Sequence, residues 1–200
     1  MLQICNLLLN GCTSLKKFDI DIPDGVTNMR STFKNCTKLQ SFDSYIPNKL
    51  VDMTSTFELC SNMQSFDSTI PNSVTNMRST FSGCTNLKSF NSSIPNNVID
   101  MYATFIQCIN LTYLNIVIPE SVTNMQYTFG NCLKLKGTIE INAKITGKII
   151  NNNPDYFACF GFSTATQDNA KIIISGTCSM LQEIVDDAKS YNSNSNIVIQ

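Results

Sequence analysis

The sequence predicts a solenoid of 24-residue coils, each with one short parallel strand and one short helical turn, closed at its C-terminal end by an α/β cap. Three observations predict this fold. Phenylalanine recurs every 24 positions, cysteine recurs with the same period, and the period fails after Leu135. The phenylalanine column consists of Phe33, Phe57, Phe81, Phe105 and Phe129. Because a single repeat cannot bury its apolar face alone, stacked coils must supply the core.

Each coil contains a stretch typical of a short strand. Residues 39–46 are apolar at spaced positions and rich in β-compatible residue types, and Pro47 ends them because proline cannot donate to a strand ladder. We expect this stretch to pair in parallel with its counterpart in the next coil. A column of Asn and Asp, expected to cap a short helical turn, precedes the segment Met-x-x-Thr-Phe-x-x-Cys. The column consists of Asn28, Asp52, Asn76, Asp100 and Asn124.

Both ends depart from the repeat. Residues 1–136 form the predicted solenoid, which starts mid-repeat with Cys5 in the methionine column and Leu9 in the phenylalanine column. We therefore expect the rest of a longer polypeptide to precede residue 1. Residues 137–200 are predicted to form an enlarged coil and a cap. Their expected elements are a strand at 138–143, a loop at 151–155, a shifted Phe/Cys helical turn at 156–160, a strand at 171–174, an amphipathic helix at 180–189 and a strand at 197–199.

Composition excludes several functional classes. The 14 Lys and Arg residues nearly balance the 15 Asp and Glu residues, so charge alone does not draw the chain to nucleic acid or to an anionic membrane. The chain has no histidine, which is the commonest general base and metal ligand. No apolar run approaches the roughly 18 to 20 residues of a membrane span, and the first residues lack a signal-peptide pattern. We expect no nucleic-acid partner, membrane insertion, metal or cofactor.

The nine cysteines follow the repeat rather than a disulfide or zinc pattern. Six of them form one column, namely Cys12, Cys36, Cys60, Cys84, Cys108 and Cys132. Neighbouring sulfurs would lie about 5 Å apart, but their parallel Cβ vectors do not converge as a disulfide requires. We expect buried thiols packed as small apolar groups, with disulfide or metal use as the alternative.

The repeats also resemble a known family. The segment Val74–Phe90, with the sequence VTNMRSTFSGCTNLKSF, is similar to repeats of BspA-like leucine-rich-repeat surface proteins, and the likeness extends over about residues 5–136. Such proteins are abundant on bacterial surfaces and occur in tail proteins of bacteriophages. The resemblance implies a right-handed leucine-rich-repeat solenoid used for recognition and adhesion, located on a bacterial cell surface, secreted or virion-associated. It implies no catalytic centre in the repeats and no specific ligand.

Outward-facing columns of the strands are the candidate binding surface, because they vary in chemistry while the threonine column of the turn stays fixed. We call this surface the strand face. Its candidate ligand-binding residues are Lys17, Asp19, Asp43, Asp67, Asn91, Tyr113 and Asn115. The three aspartates would stack at a spacing of about 5 Å. That spacing suits a solvated row that contacts a ligand, and also a calcium site or a glycosidase carboxylate pair.

A second candidate is an apolar cluster in the coil at residues 99–122. There, apolar side chains replace the polar ones found two coils earlier, which is typical of a contact surface. The candidate residues are Tyr102, Ile106, Ile109, Ile116 and Val117. We expect part of this cluster to pack against the cap near residues 156–162 and part to meet a partner.

The sequence thus favours a non-catalytic recognition or adhesion module that binds a host-surface protein or glycan through the strand face. One alternative is a structural spacer within a bacterial surface protein or a phage tail protein. The other is a polysaccharide-acting enzyme that uses the aspartate column.

Overall fold

The computed structural model describes residues 9–161, 172–193 and 196–200. These residues form a solenoid whose coils each contribute one short strand to a parallel ladder, followed by a C-terminal region with longer strands and one helix. The strands of the regular coils are β1 (Lys17–Phe18), β2 (Ser41–Phe42), β3 (Ser65–Phe66), β4 (Ser89–Phe90) and β5 (Ile116–Ile118).

Parallel pairing of equivalent positions confirms the 24-residue period. Phe18 pairs with Phe42, Phe66 pairs with Phe90, and Ser89 is bridged to Tyr113. The strands are shorter than the predicted stretch 39–46. The chain bends at Ser44, whose side chain turns inward and donates from Oγ to the Phe18 carbonyl at 3.4 Å, so the backbone leaves the ladder there.

The Asx column forms a second ladder that the sequence did not predict. Asn28, Asp52, Asn76, Asp100 and Asn124 are joined in series by parallel bridges. Each side chain also accepts the backbone N–H two residues further on, as in the 2.8 Å bond from Thr54 N to Asp52 Oδ1. Capping by this column is therefore present, and it starts an Asx turn.

The segment after each Asx residue differs from the expected helical turn, because it is a run of tight turns. Alternate N–H groups bond within the coil and to the next coil: Thr32 N donates to Met29 O at 3.1 Å, whereas Phe33 N donates to Thr56 O at 2.9 Å. A helix would direct all of these groups along its own axis. Left-handed backbone at Ser31 (φ 56°) and Asn35 (φ 61°) makes the alternation possible.

Aromatic rings and threonine hydroxyls hold the coils together. The Phe81 ring stacks on Phe57 and Phe105 at centroid distances of 5.5 and 5.4 Å, and it meets Phe66 and Phe90 edge to face. Four buried threonines of the fixed column, Thr56, Thr80, Thr104 and Thr128, each bridge two coils. The first complete example is Thr56, whose Oγ1 donates to Met53 O at 2.8 Å and to Met29 O of the preceding coil at 3.0 Å.

The cysteine column forms a ladder of thiol hydrogen bonds. Cys60 Sγ donates to the Phe33 carbonyl of the preceding coil at 3.1 Å, and the same bond recurs at Cys84, Cys108 and Cys132. Cys36 makes it to Leu9 O, which confirms Leu9 in the phenylalanine column; Cys5 lies outside the described residues. The eight described cysteines are thiols and not disulfides. Burial raises the pKa of Cys84 and Cys132 to about 12.

The column thiols from Cys36 to Cys132 are expected to resist alkylation in the folded protein, because a buried, protonated thiol is neither accessible nor nucleophilic. Titration with a thiol reagent at mildly alkaline pH should modify them only after denaturant is added. The partly exposed Cys12 serves as the internal positive control. Rapid native labelling of the column, or disulfides between coils in a peptide map, would contradict this prediction.

In the C-terminal region, the strands are β6 (Gly137–Ile141), β7 (Ile149–Ile150), β8 (Asn153–Pro154), β9 (Ile172–Ser175) and β10 (Ile197–Ile199), with helix α1 at Leu181–Tyr191. Strands β5, β6, β9 and β10 form one parallel sheet in that order. Helix α1 buries Ile184, Val185 and Ala188. The expected strands at 138–143, 171–174 and 197–199 and the helix at 180–189 are thus present with shifts at their ends, while Lys171 lies outside the described residues.

Residues 155–161 stack on the preceding coil, at the place where the sequence predicted a shifted Phe/Cys turn. Asp155 O accepts from Met125 N at 2.7 Å, just as Asn124 O accepts from Met101 N at 3.0 Å. The predicted loop at 151–155 is instead mostly the antiparallel hairpin β7–β8, because Asn151 (φ 49°) and Asn152 (φ 69°) both take the left-handed backbone of a tight hairpin turn. The division of the chain into 1–136 and 137–200 stays a prediction.

Candidate binding surface on the strand face

All seven predicted strand-face residues are exposed. Their two columns lie on either side of a different, inward-facing column within the strands, because successive side chains of a strand point to opposite faces. That strand column consists of Phe18, Phe42, Phe66, Phe90 and Leu114. Tyr113 is the most prominent ring, with 64% of its surface exposed. The structure therefore brings the predicted residues together in two neighbouring outward columns along the solenoid.

The N-terminal part of the strand face is a charged network. Lys17 Nζ lies 3.3 Å from both Asp19 and Asp43, so one ammonium joins the carboxylates of two coils. Hydrogen bonding to Asp19 and then to Asp43 raises the pKa of Lys17. Ser41 Oγ donates to Asp43 at 3.2 Å. These contacts order exposed side chains rather than stabilise the fold, since exposed ion pairs contribute little.

The middle part of the strand face centres on Asp67. Ser65 Oγ and Asn91 Nδ2 each donate to its carboxylate at 2.6 Å. Both bonds favour the charged form, so they lower the pKa of Asp67, with Ser65 as the larger cause. Asp67 is therefore an ionised hydrogen-bond acceptor at neutral pH.

The C-terminal part of the strand face changes to aromatic and amide chemistry. Lys136 Nζ lies 4.3 Å from the centre of the Tyr113 ring, a cation–π distance. Asn115 Oδ1 accepts the Thr138 N–H at 2.9 Å. This bond lies where the pairing has shifted by one residue, because Ser89 pairs with Tyr113 but Tyr113 pairs with Lys136. The shift is thus already present before Gly137 (φ 122°), where a Cβ atom would lie 2.4 Å from the Leu114 carbonyl oxygen.

A groove of about 620 Å3 lies beside this part of the strand face. Its lining residues come from four successive coils and include Asn72, Ser93, Asn96, Asn115, Val117 and Glu140. We call it the amide groove. A second hollow of about 430 Å3 shares Asn96 and is bordered by the ion pair of Lys144 with Glu120 at 2.8 Å.

The amide groove occurs where the regular inward serine column ends. Ser68 Oγ donates to the Phe42 carbonyl of the preceding coil at 3.3 Å, and Ser44 makes the same contact. In the coil of β5 this column holds Ile116, which cannot donate such a bond. The change of side chain coincides with the longer strand β5 and the one-residue register change.

The predicted apolar cluster does not form one patch. Ile116 is only 7% exposed because its column faces inward, so it is not a contact residue, whereas Val117 is 48% exposed. Tyr102 lies on the turn segment, with Arg78 3.7 Å above its ring. Ile106 and Ile109 are half-buried, and Ile106 packs against the position of Gly130.

The cluster is linked to the C-terminal region indirectly, through Tyr127, so the expected packing against residues 156–162 stays a prediction. Tyr102 meets Tyr127 edge to face at 5.6 Å, and Tyr127 meets Phe157 in the same way at 5.4 Å. Phe157 in turn contacts Tyr191 of helix α1 at 6.1 Å. Phe162, at the end of the expected contact region, lies outside the described residues.

A comparison with protein families identifies the repeats. Residues 2–136 match the BspA type leucine rich repeat region in six copies. The chain belongs to the BspA-type leucine-rich-repeat family. No curated protein and no solved structure matches the chain.

Membership of the BspA-type family indicates a repeat-based binding or structural module. Repeats of this family are generally non-catalytic and typically surface-associated. Among the described residues, no helix is long and apolar enough to cross a membrane. In the same part of the chain, no group of three Cys, Asp or Glu residues is arranged to hold a metal ion.

Sequence reasoning missed several residues of this BspA-type surface. Lys136 pairs with Tyr113 in the strand ladder at a spacing of 23 residues, so a search with a fixed period of 24 does not find it. Asn72 and Asn96 occupy equivalent positions of successive coils, so the asparagine column Asn48, Asn72 and Asn96 was a visible signal. Glu140 has no such signal, because it lies beyond the last regular repeat.

Proposed function

We propose that the chain is a non-catalytic recognition module that binds a host-surface protein or glycan through its strand face. The observation that carries this proposal is the contrast between columns. The buried threonine and cysteine columns keep one residue type and join the coils, whereas the exposed strand columns change from charged to amide to aromatic chemistry. Only the exposed columns vary enough to select a partner.

Ordering of the exposed side chains supports a binding role. Lys17 is held by two carboxylates and Asp67 by two donors, so these side chains are partly fixed before any partner arrives. Fixing them in advance lowers the entropy cost of association. An aromatic ring such as Tyr113 supplies contact area at the same surface.

The contacts of the aspartate column argue against the glycosidase alternative. A glycosidase needs one carboxylic acid with a raised pKa beside an ionised partner. Asp67 has a lowered pKa, and Lys17 bridges the other two aspartates. The column therefore presents paired, charged carboxylates suited to accept hydrogen bonds from a ligand.

Replacing Asp43, Asp67 and Tyr113 together by Ala is expected to abolish binding to cells or immobilised glycans. The melting temperature should stay nearly unchanged, because exposed substitutions alter stability by no more than about 0.5 kcal/mol each. Binding to a panel of cultured cells and to a glycan array, together with calorimetry, checks both expectations.

The matched control replaces three exposed residues away from the strand face, Asp24, Lys49 and Ile99, by Ala and should bind normally. Undiminished binding by the strand-face variant would refute the face assignment. If the unmodified chain binds nothing in either assay, the structural-spacer alternative is favoured. Hydrolysis of a polysaccharide that the strand-face variant loses would establish the enzyme alternative.

A further inference from the structure

We propose that the amide groove binds a neutral oligosaccharide. This inference rests on the proposed function, because the groove adjoins the strand face at Asn115 and Val117 and extends it sideways. Its volume of about 620 Å3 lies within the range of about 300 to 1,000 Å3 typical of small-ligand sites.

The groove offers polar groups that are not engaged elsewhere. The side chains of Asn72, Ser93 and Asn96 make no hydrogen bond to any residue that the structure describes. Each carboxamide has two N–H donors and a carbonyl acceptor, and a serine hydroxyl donates and accepts. Sugar hydroxyls also donate and accept, so this set of side chains can pair with neighbouring hydroxyls of a saccharide.

The charged side chains around the amide groove limit the class of ligand that it can bind. Among the described residues that line the amide groove there is no lysine or arginine, and Glu140 is the one acidic side chain. Lys144, in the adjoining hollow, is already paired with Glu120. A phosphate, sulfate or carboxylate on the ligand would meet no partner of opposite charge and would be repelled by Glu140.

The groove also has an apolar contact surface. Val117 is 48% exposed and lies among the amides, where it can pack against the C–H face of a sugar ring. Two further apolar residues of the lining, Ile94 and Ile116, are buried, so Val117 is the exposed apolar side chain among several polar ones. A lipid or an apolar peptide would leave the amides desolvated and unpaired. The combination therefore favours an uncharged, hydroxyl-rich ligand.

The test compares Asn96→Leu with Asn48→Leu. Both residues are exposed and occupy the same column of the repeat, but only Asn96 lines the amide groove. The probe is an immobilised panel of neutral oligosaccharides, with sulfated and carboxylated oligosaccharides beside them. We expect the unmodified chain to bind neutral members, Asn96→Leu to weaken that binding by about tenfold, and Asn48→Leu to leave it unchanged.

Four outcomes would overturn the inference: no binding to neutral members, binding only to acidic members, equal binding by Asn96→Leu, or equal losses in both variants. The strand-face variant separates this failure from that of the proposed function. If that variant loses cell or glycan binding while Asn96→Leu keeps it, the strand face stands and the groove assignment falls. If the chain binds a partner protein but no oligosaccharide of the panel, the groove assignment is wrong as well.

Discussion

A chain that ends at Lys136 is expected to aggregate. Removing residues 137–200 takes β6 away from β5 and leaves the backbone of β5 without that parallel partner. It also removes Phe160, whose ring stacks on Phe129 at 5.0 Å, and so exposes the last coil of the core. An uncovered strand edge beside newly exposed apolar surface can pair with another chain and so promote aggregation.

Size-exclusion chromatography and light scattering of the truncated and full-length chains at matched concentrations check this expectation. We expect the full chain to elute as one species and the truncated chain to appear as large assemblies or to precipitate. A truncated chain that elutes as a monomer and still unfolds cooperatively would show that residues 137–200 do not act as a cap.

Phe81→Ala is expected to destabilise the protein by about 3 to 5 kcal/mol, as measured by denaturant unfolding. Its ring is fully buried and contacts four other rings, two by stacking and two edge to face. Because its neighbours belong to three different coils, they cannot collapse into the cavity without disturbing the ladders on both sides.

The control is the same substitution at Phe18, in the first described strand. That ring is only partly buried, and within the described residues it meets two rings, Phe33 and Phe42. Phe18→Ala should therefore cost clearly less than Phe81→Ala. Equal losses for the two variants, or a loss at Phe81 below about 1 kcal/mol, would show that ring stacking does not control stability.

Periodicity could predict which side chains are buried and which positions pair. A column that repeats Phe or Cys must face the same way in every coil, so the burial of Phe57, Phe81 and Cys84 could be predicted from the period. The backbone of the turn segment could not be predicted in this way. The same residues suit a helix, and only the bonding of Phe33 N to the next coil decides against one.

The strand face could be predicted from the 24-residue period, whereas the amide groove could not. Asp43 and Asp67 lie in a column, so their common exposure follows from the period. The amide groove depends on two departures from the period, Ile116 in a serine column and the one-residue register change already present at Lys136. A repeat pattern predicts what recurs, and a cavity made where the pattern breaks requires the three-dimensional arrangement of several coils.

The thiol ladder also determines how the molecule can vary in length. Each contact in this ladder is the same hydrogen bond. The cysteine thiol of one coil donates to the backbone carbonyl of the residue that occupies the phenylalanine column in the preceding coil. After duplication or deletion of a 24-residue unit, the coils that become neighbours would form the same thiol hydrogen bond, so no new type of contact between coils would be needed. Each such unit changes the span of the molecule by about 4.8 Å, one strand spacing. Gain and loss of whole units can therefore adjust the length of the repeat region while residues 137–200 stay the same.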